Sequence, residues 1–341
     1  MNIITTIEQL EENLSTPTDA VVRTMAAMDG DLMVLGAGGK MGPWLAHMAA
    51  RAIEQAGAGH RLLAVSRFSD PNVPNMLHAW GIETIHGDLL DPAFIDSLPE
   101  VPNLIYMAGR KFGTAGAESM TWATNAYLPG LVGNRFRHSR IVAFSTGNVY
   151  RPMPIDGPGS VETDRPDPHG EYGMSCLGRE RMFEYFGHAY HIPLAIIRLN
   201  YATELRYGVL VDLAEKILRD EEISLTVGHF NVIWQTDANA MALCALRDAQ
   251  CPPLILNTTG RDLIRCRHVA ERLGELMNKR VRLTGVESAE ALHSNAQRAF
   301  DLYGAPRVSL DEMLVLTADW IVRGGATHGK PTHFEVTDGK Y

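Results

Sequence analysis

Gly36, Gly39 and Gly42 recur at three-residue spacing in the run Gly36-Ala37-Gly38-Gly39-Lys40-Met41-Gly42, between a short apolar stretch and a helical one. Such a turn tolerates positive φ and leaves backbone N–H groups bare at the start of a helix, where a diphosphate can approach. Gly38, Lys40 and Met41 belong to the same cradle. A glycine-rich turn can also be a plain connection; the strand before, the helix after and further strand–helix repeats point instead to dinucleotide binding. The next strand ends in Ser66-Arg67, where an acidic residue would bind the adenosine ribose hydroxyls. A small hydroxyl followed by a guanidinium suits a 2′-phosphate, so NADP is favoured over NAD. An Arg67 that projects into solvent is the plainer alternative. Asp88 and Leu89 close the third strand, Asp88 to accept from an adenine amino group and Leu89 to cover the ring.

Holding these residues requires a sheet. The chain has 341 residues, 45% of them hydrophobic, enough for one large or two modest domains. Apolar runs at 31–39, 60–67, 81–88, 103–109, 140–146 and 193–201 alternate with helical segments such as 43–57. That alternation predicts an α/β fold over 31–200, a Rossmann-like, doubly wound parallel sheet with helices on both faces. Beyond residue 200 the pattern is less regular. "YGVLVDLAEKILRD" and "HVAERLGELM" read as amphipathic helices and "RVRLTGV" as a strand. Residues 201–341 are therefore expected to form mainly a smaller C-terminal α/β substrate domain, with a return to the sheet near 229–260. Residues 1–30 read as a helical arm. Thr5 and Glu8 form its expected capping box, Ile7, Leu10 and Leu14 share a face, and Pro17 opens a second helix.

The formal charge is 31 − 40 = −9 with no long basic run, which argues against nucleic acid or an anionic membrane as partner. Cys176, Cys244, Cys251 and Cys266 show no CxxC pairing and read as reduced thiols. His188 and His191 lack a third ligand, so no metal site is expected. With no signal-like N-terminus and no long apolar stretch, a soluble cytoplasmic protein is expected.

Taken in order, these motifs resemble the extended short-chain dehydrogenase/reductase superfamily, its NAD(P)-dependent epimerase/dehydratase group, from about Asp31 to the end. Gly36, Gly39 and Gly42 are similar to its GxxGxxG loop, and Asp88-Leu89 to its adenine site. Met107-Ala108-Gly109 is similar to the small-residue turn that lines the cofactor after the fourth strand. Lys111 falls near a cofactor-contacting lysine, and Asn125 is similar to a helix asparagine that steadies the active-site backbone. "FSTGNVY" (144–150) places Thr146 at the catalytic hydroxyl with Ser145 beside it, and Tyr172 resembles the catalytic tyrosine. Asp237-Ala238-Asn239-Ala240 is similar to the return segment. The resemblance implies a sugar, sugar acid or sugar nucleotide substrate, contacted by Arg206, Trp234 and Gln235. It also implies a homodimer formed through helices near 115–135 and 172–190. Two positions depart from the pattern. Cys176 stands where YxxxK has its lysine, and Tyr201 stands where an asparagine is usual, with Asn200 one residue early.

The first departure bears on chemistry. Exchange of hydride between a carbinol carbon and a nicotinamide needs a group that takes or returns the hydroxyl proton. A free tyrosine, with a pKa of about 10, is only about one-thousandth ionised at pH 7, and each unit of lowering gives about tenfold more phenolate. A neutral Cys176 thiol adds no positive charge. Arg179, two turns along the same helix, and Lys111, from another loop, are the candidate replacement cations. Alternatively, Tyr172 acts as a neutral acid in reduction, or the chain is a non-catalytic NADP-binding sensor or scaffold.

Overall fold

The computed structural model describes residues 3–111, 113 and 116–335. Met1, Asn2, Phe112, Thr114, Ala115 and residues 336–341, which touch the expected arm, dimer helix and C-terminal domain, lie outside them. Seven parallel strands form the central sheet: β1 (Leu32–Leu35), β2 (Leu62–Ser66), β3 (Glu83–His86), β4 (Asn103–Tyr106), β5 (Arg140–Thr146), β6 (Leu194–Leu199) and β7 (Leu254–Thr258). Their order is β7-β6-β5-β4-β1-β2-β3. The chain reverses direction across the sheet between β1 and β4, which opens a crevice at the carboxyl ends of the strands.

Successive strand residues point to opposite faces, and both faces are covered. Leu32 and Val34 pack with Val21, Leu45, Met48 and Leu243 on one side. Met33 and Leu35 pack with Leu128, Val132 and Phe183 on the other. The helices of the molecule include α1 (Ile7–Ser15), α2 (Asp19–Ala27), α3 (Gly42–Gln55), α4 (Gly170–Tyr190), α5 (Val209–Leu218) and α6 (Gln235–Asp248), of which α2, α3, α4 and α6 carry residues of these two layers. A third core gathers α5 with the helices Cys266–Met277 and Leu310–Val322, flanked by short two-stranded pairings. Among the described residues no helix is long and apolar enough to cross a bilayer.

The arm differs from its expected form in two details. Thr6, not Thr5, caps α1, its Oγ1 accepting from Gln9 N at 3.2 Å, while Gln9 Oε1 folds back to accept from Thr5 N at 2.8 Å. Thr18 caps α2, so Pro17 stands ahead of the cap. In both places a later threonine, one residue on in α1 and two in α2, caps the helix from an extended backbone. The arm also joins two cores: Leu10 and Leu14 enter the C-terminal core, Val21 and Met25 the core under the sheet.

Asn13 pins this arrangement. Its Oδ1 accepts from the Trp234 indole N–H at 2.8 Å, and its carbonyl accepts from Thr236 Oγ1 at 3.0 Å. Asn13→Ala strands the indole donor of a fully buried tryptophan. Denaturant unfolding of this variant should give a stability loss of about 1–3 kcal/mol; an unchanged midpoint would mean that the pin carries no load.

Candidate active site

The glycine loop closes tightly on the strand ends. Gly36 has φ +85°, and a Cβ there would stand 2.5 Å from Ala108 N; one at Gly42 would stand 2.5 Å from Ala37 O. A Cβ at Gly38 would meet Ser66 Oγ at 2.7 Å. Side chains are thus excluded where a diphosphate must approach backbone, which is the fit a dinucleotide requires. A cavity of about 240 Å³ adjoins the loop. It is lined by Gly36, Gly38 and Gly39, by Ser66, Arg67, Asp88 and Leu89, and by Met107, Ala108 and Gly109. Arg67 Nη1 lies 3.9 Å from Asp88 Oδ2, both side chains exposed.

Of the expected cradle residues, Gly42 opens the helix as the turn requires, while the side chains of Met41 and Lys40 point to other elements. Met41 packs with Ile233, Ala238 and Met241, and Gly42 begins α3. Lys40 lays its Nζ 3.2 Å from the centre of the Tyr207 ring. Burial, with the neighbouring Lys330 and Lys111 charges, pushes its pKa down to about 8.

Tyr172 lies in the first turn of α4, against Val149, Tyr150 and Cys176. Gly173 permits the approach, since a Cβ there would be 2.6 Å from Asn148 O. Cys176 is fully buried and hydrogen-bonded with the Tyr172 side chain; burial pushes its thiol up, so it stays neutral. Two cations stand near Tyr172: Arg179, on the same helix, whose charge acts on the phenol, and Lys111, from the loop after β4. Lys111 Nζ lies 6.0 Å from the Tyr172 ring centre and 6.0 Å from that of Tyr201. Burial lowers the Lys111 pKa to about 8, against the attraction of Asp212.

Asn125 sits in a π-helical turn, Ala123–Tyr127, a local bulge that turns its amide inward. Its Oδ1 accepts from Arg110 N and Arg179 Nη2, both at 2.8 Å. Its Nδ2 donates to Arg110 O at 2.8 Å and Ser175 Oγ at 3.0 Å, which uses the whole amide. Arg179 is buried and also donates to Phe144 O at 2.8 Å. A Cβ on Gly109 would fall 2.5 Å from its Nη2. Arg179 therefore braces backbone behind the cavity.

Ser145 and Thr146 are adjacent and so point to opposite faces of β5. Ser145 Oγ donates to Glu180 Oε1 at 2.6 Å. Glu180 pairs with Arg198 at 2.7 Å, Arg198 donates to Tyr150 OH at 2.6 Å, and Tyr150 OH donates to Asn257 Oδ1 at 2.9 Å. Ser145 is thereby tied into a buried network, which the sequence analysis did not anticipate. The signal was available: Glu180 falls on the inward face of α4 opposite an arginine in an otherwise apolar strand. Thr146 Oγ1 accepts from Asn148 N at 3.2 Å at the strand end, which leaves its proton to donate.

On the substrate side, Asn200 Nδ2 donates to Leu292 O at 3.3 Å, beside Gly147. Tyr201 holds φ +45°, a costly conformation for an aromatic residue, and packs edge-on to Phe230. Arg206 is buried, paired with Glu204 at 3.2 Å and stacked 4.8 Å over Trp44. Gln235 is buried, its Nε2 without a hydrogen-bond partner among the described residues. Trp234 corrects its expected place: it has no exposed surface, and its N–H is taken by Asn13. The arm, which the family pattern does not contain, covers this side and draws Trp234 into the core.

A model of the NAD dependent epimerase/dehydratase family matches residues 32–225. No curated protein matches the sequence. The fold is similar to that of a UDP-glucose 4-epimerase from Thermotoga maritima with UDP-glucose, at TM-score 0.72 and 18% identity over 86% of this chain and 99% of that one. It is similar also to the UDP-glucuronic acid 4-epimerase from Bacillus cereus in complex with UDP-glucuronic acid and NAD, at TM-score 0.70 and 17% identity over 86% and 99%. A Thermus thermophilus UDP-glucose 4-epimerase complex with NAD gives TM-score 0.70 and 18% identity over the same shares. At these identities the likeness is one of fold.

Proposed function

Because the chain belongs to the NAD dependent epimerase/dehydratase family, we propose that it is an NAD(P)-dependent oxidoreductase or epimerase acting on a sugar, sugar acid or sugar nucleotide. The observation that carries this reading is the Lys111 ammonium 6.0 Å from the Tyr172 ring centre, a positive charge where Cys176 offers none. The glycine loop, Asp88, Leu89 and the Met107–Gly109 turn hold the dinucleotide, whose nicotinamide supplies a hydride acceptor and donor when bound. Tyr172 exchanges the hydroxyl proton and Thr146 donates to the same oxygen. Lys111 favours the phenolate when Tyr172 has given its proton up. Asn125 and Arg179 fix the backbone around the pocket, and Ser145, through Glu180, fixes the end of β5. Ser66 and Arg67 favour NADP, as a hydroxyl and a guanidinium suited to a 2′-phosphate.

The burial of Cys176 also favours a second reading, a dinucleotide-binding sensor or scaffold without turnover. One experiment separates the two. Protein with NAD or NADP is offered a panel of sugars, sugar acids and sugar nucleotides, and both nicotinamide absorbance and product stereochemistry are followed. Any Tyr172-dependent product excludes the sensor; tight cofactor binding with no product and no inversion excludes the enzyme. We also propose a homodimer. Met120, Trp122 and Tyr127 are exposed on one helical segment and Tyr185 and Tyr190 on α4, an apolar surface that a second copy would cover. Sedimentation equilibrium should give twice the chain mass. The four free cysteines suit a reducing cytoplasm.

A further inference from the structure

Ser175 stands one turn beyond Tyr172 on α4 and has no exposed surface. Its Oγ donates to the Tyr172 carbonyl at 3.0 Å. A serine that bonds a carbonyl three residues back in its own helix is a common local contact and by itself implies nothing. Here the same oxygen also accepts from Asn125 Nδ2 at 3.0 Å, fifty positions away in the chain. That Nδ2 donates its other hydrogen to Arg110 O at 2.8 Å, while Asn125 Oδ1 accepts from Arg110 N at 2.8 Å. Arg110 O belongs to the peptide bond that carries Lys111. Three hydrogen bonds in line thus run from the Lys111 peptide to the Tyr172 peptide, and Ser175 Oγ closes the line on the tyrosine side. Glycines on either side of Ser175 let α4 come close enough for this. A Cβ on Gly173 would stand 2.6 Å from Asn148 O, and one on Gly178 would stand 3.0 Å from the Ala126 Cβ.

We infer that Ser175 is a positioning residue: its hydroxyl holds the Lys111 loop in register with the turn that carries Tyr172, and so sets how strongly the ammonium acts on the phenol. The inference rests on the reading of Tyr172 as the proton-exchanging group and of Lys111 as a cation that favours its phenolate. Asp212 attracts the same ammonium, so the tie decides how closely the loop follows Tyr172. Arg179, the other cation near the phenol, donates to the same Asn125 amide at 2.8 Å. It shares α4 with Tyr172, however, and has its own anchor on Phe144 O at 2.8 Å. Arg179 therefore keeps its place when Ser175 is changed, and the tie acts through Lys111.

The test reads the ionisation of Tyr172 rather than turnover. Tyrosines of the full chain are ¹³Cζ-labelled, and the Tyr172 signal is assigned by its loss in Tyr172→Phe. The phenolate fraction is then read just below pH 8, where the Lys111 ammonium is still present. Ser175→Ala keeps a good helix former in α4, and its melting curve checks the fold. This variant should lower the phenolate fraction about three- to tenfold, the effect of an ammonium that recedes by a few ångströms. In a Lys111→Met background the same substitution should change it by less than about twofold, because the cation being positioned is gone. A serine with a merely structural role would act by the same factor in both backgrounds, and that result would overturn the inference. So would a Ser175→Ala chain that titrates like wild type, or a Lys111→Met chain that does. Should the alanine chain not fold, Ser175→Cys gives the same comparison with a smaller drop, since a thiol keeps the volume and donates and accepts only weakly. No hydride moves in this readout. Coupling of the two residues beside a failed sugar panel would therefore leave the tie standing without catalysis, and turnover beside independent effects would leave the enzyme without the tie.

Discussion

Tyr172→Phe is expected to lower kcat by about 10²- to 10⁴-fold, the range that a positioned proton donor contributes. The substitution removes one oxygen and keeps the ring that packs on Val149, Tyr150 and Cys176. The chain should therefore stay folded, and its melting temperature is the control. Cofactor binding, followed by nicotinamide fluorescence, should persist, because the glycine loop and the Asp88–Leu89 end lie on other elements. The loss should appear in kcat more than in KM, since the phenol does its work as the proton moves. A variant that turns over at the wild-type rate would remove Tyr172 from the chemistry and leave Thr146 as the only hydroxyl donor proposed there.

The frame around this tyrosine was legible because it rests on local physics. Leu32–Leu35 and Arg140–Thr146 read as strands because burial on both faces demands continuous apolar runs. Gly36 and Gly42 read as a cradle because a Cβ would collide there, whatever the rest of the chain does. Cap positions were legible only to within one or two residues, since Thr5 and Thr6, like Thr16 and Thr18, both carry the needed oxygen and the helix chooses by backbone conformation. The split roles of Ser145 and Thr146 follow from strand alternation, but only once Glu180 is known to lie on one side.

What the sequence could not give were contacts between distant segments. That Lys111 could serve Tyr172, sixty-one positions on, came from the family resemblance and not from any local pattern; the path of the loop after β4 brings the two together. Nor does any periodicity reveal that Asn13 reaches Trp234. The missing lysine at 176 is itself explained by such a contact. Position 176 is fully buried, and the burial that pushes its thiol up would disfavour an ammonium as strongly, with the Arg179 guanidinium already close. Here Lys111 adds a positive charge from outside the helix to that of Arg179 on it.

Lys111→Met tests that delivery. The Lys111 ammonium stands 6.0 Å from the Tyr172 ring centre; a unit charge at about that range from the phenolate would attract it by about 3 kcal/mol at an effective dielectric near 20, which is about two pKa units and about 100-fold in phenolate. The expected loss in kcat is therefore about 100-fold for oxidation, where Tyr172 must take the proton, and smaller for reduction, where the neutral phenol already donates. Burial lowers Lys111 from 10.5 to about 8, so its ammonium is present below that pH and lost above it. Wild-type oxidation should accordingly lose this assistance as pH rises through about 8. Lys111→Met should lack the limb, and Lys111→Arg, which stays charged, should keep most of the rate and carry it to higher pH. Burial also pushes Lys40 down to about 8, so a Lys40→Met control, which should keep the limb, separates the two lysines. If the methionine variant oxidised as fast as wild type, or the arginine variant did no better than the methionine one, Lys111 would not be the cation that Tyr172 needs.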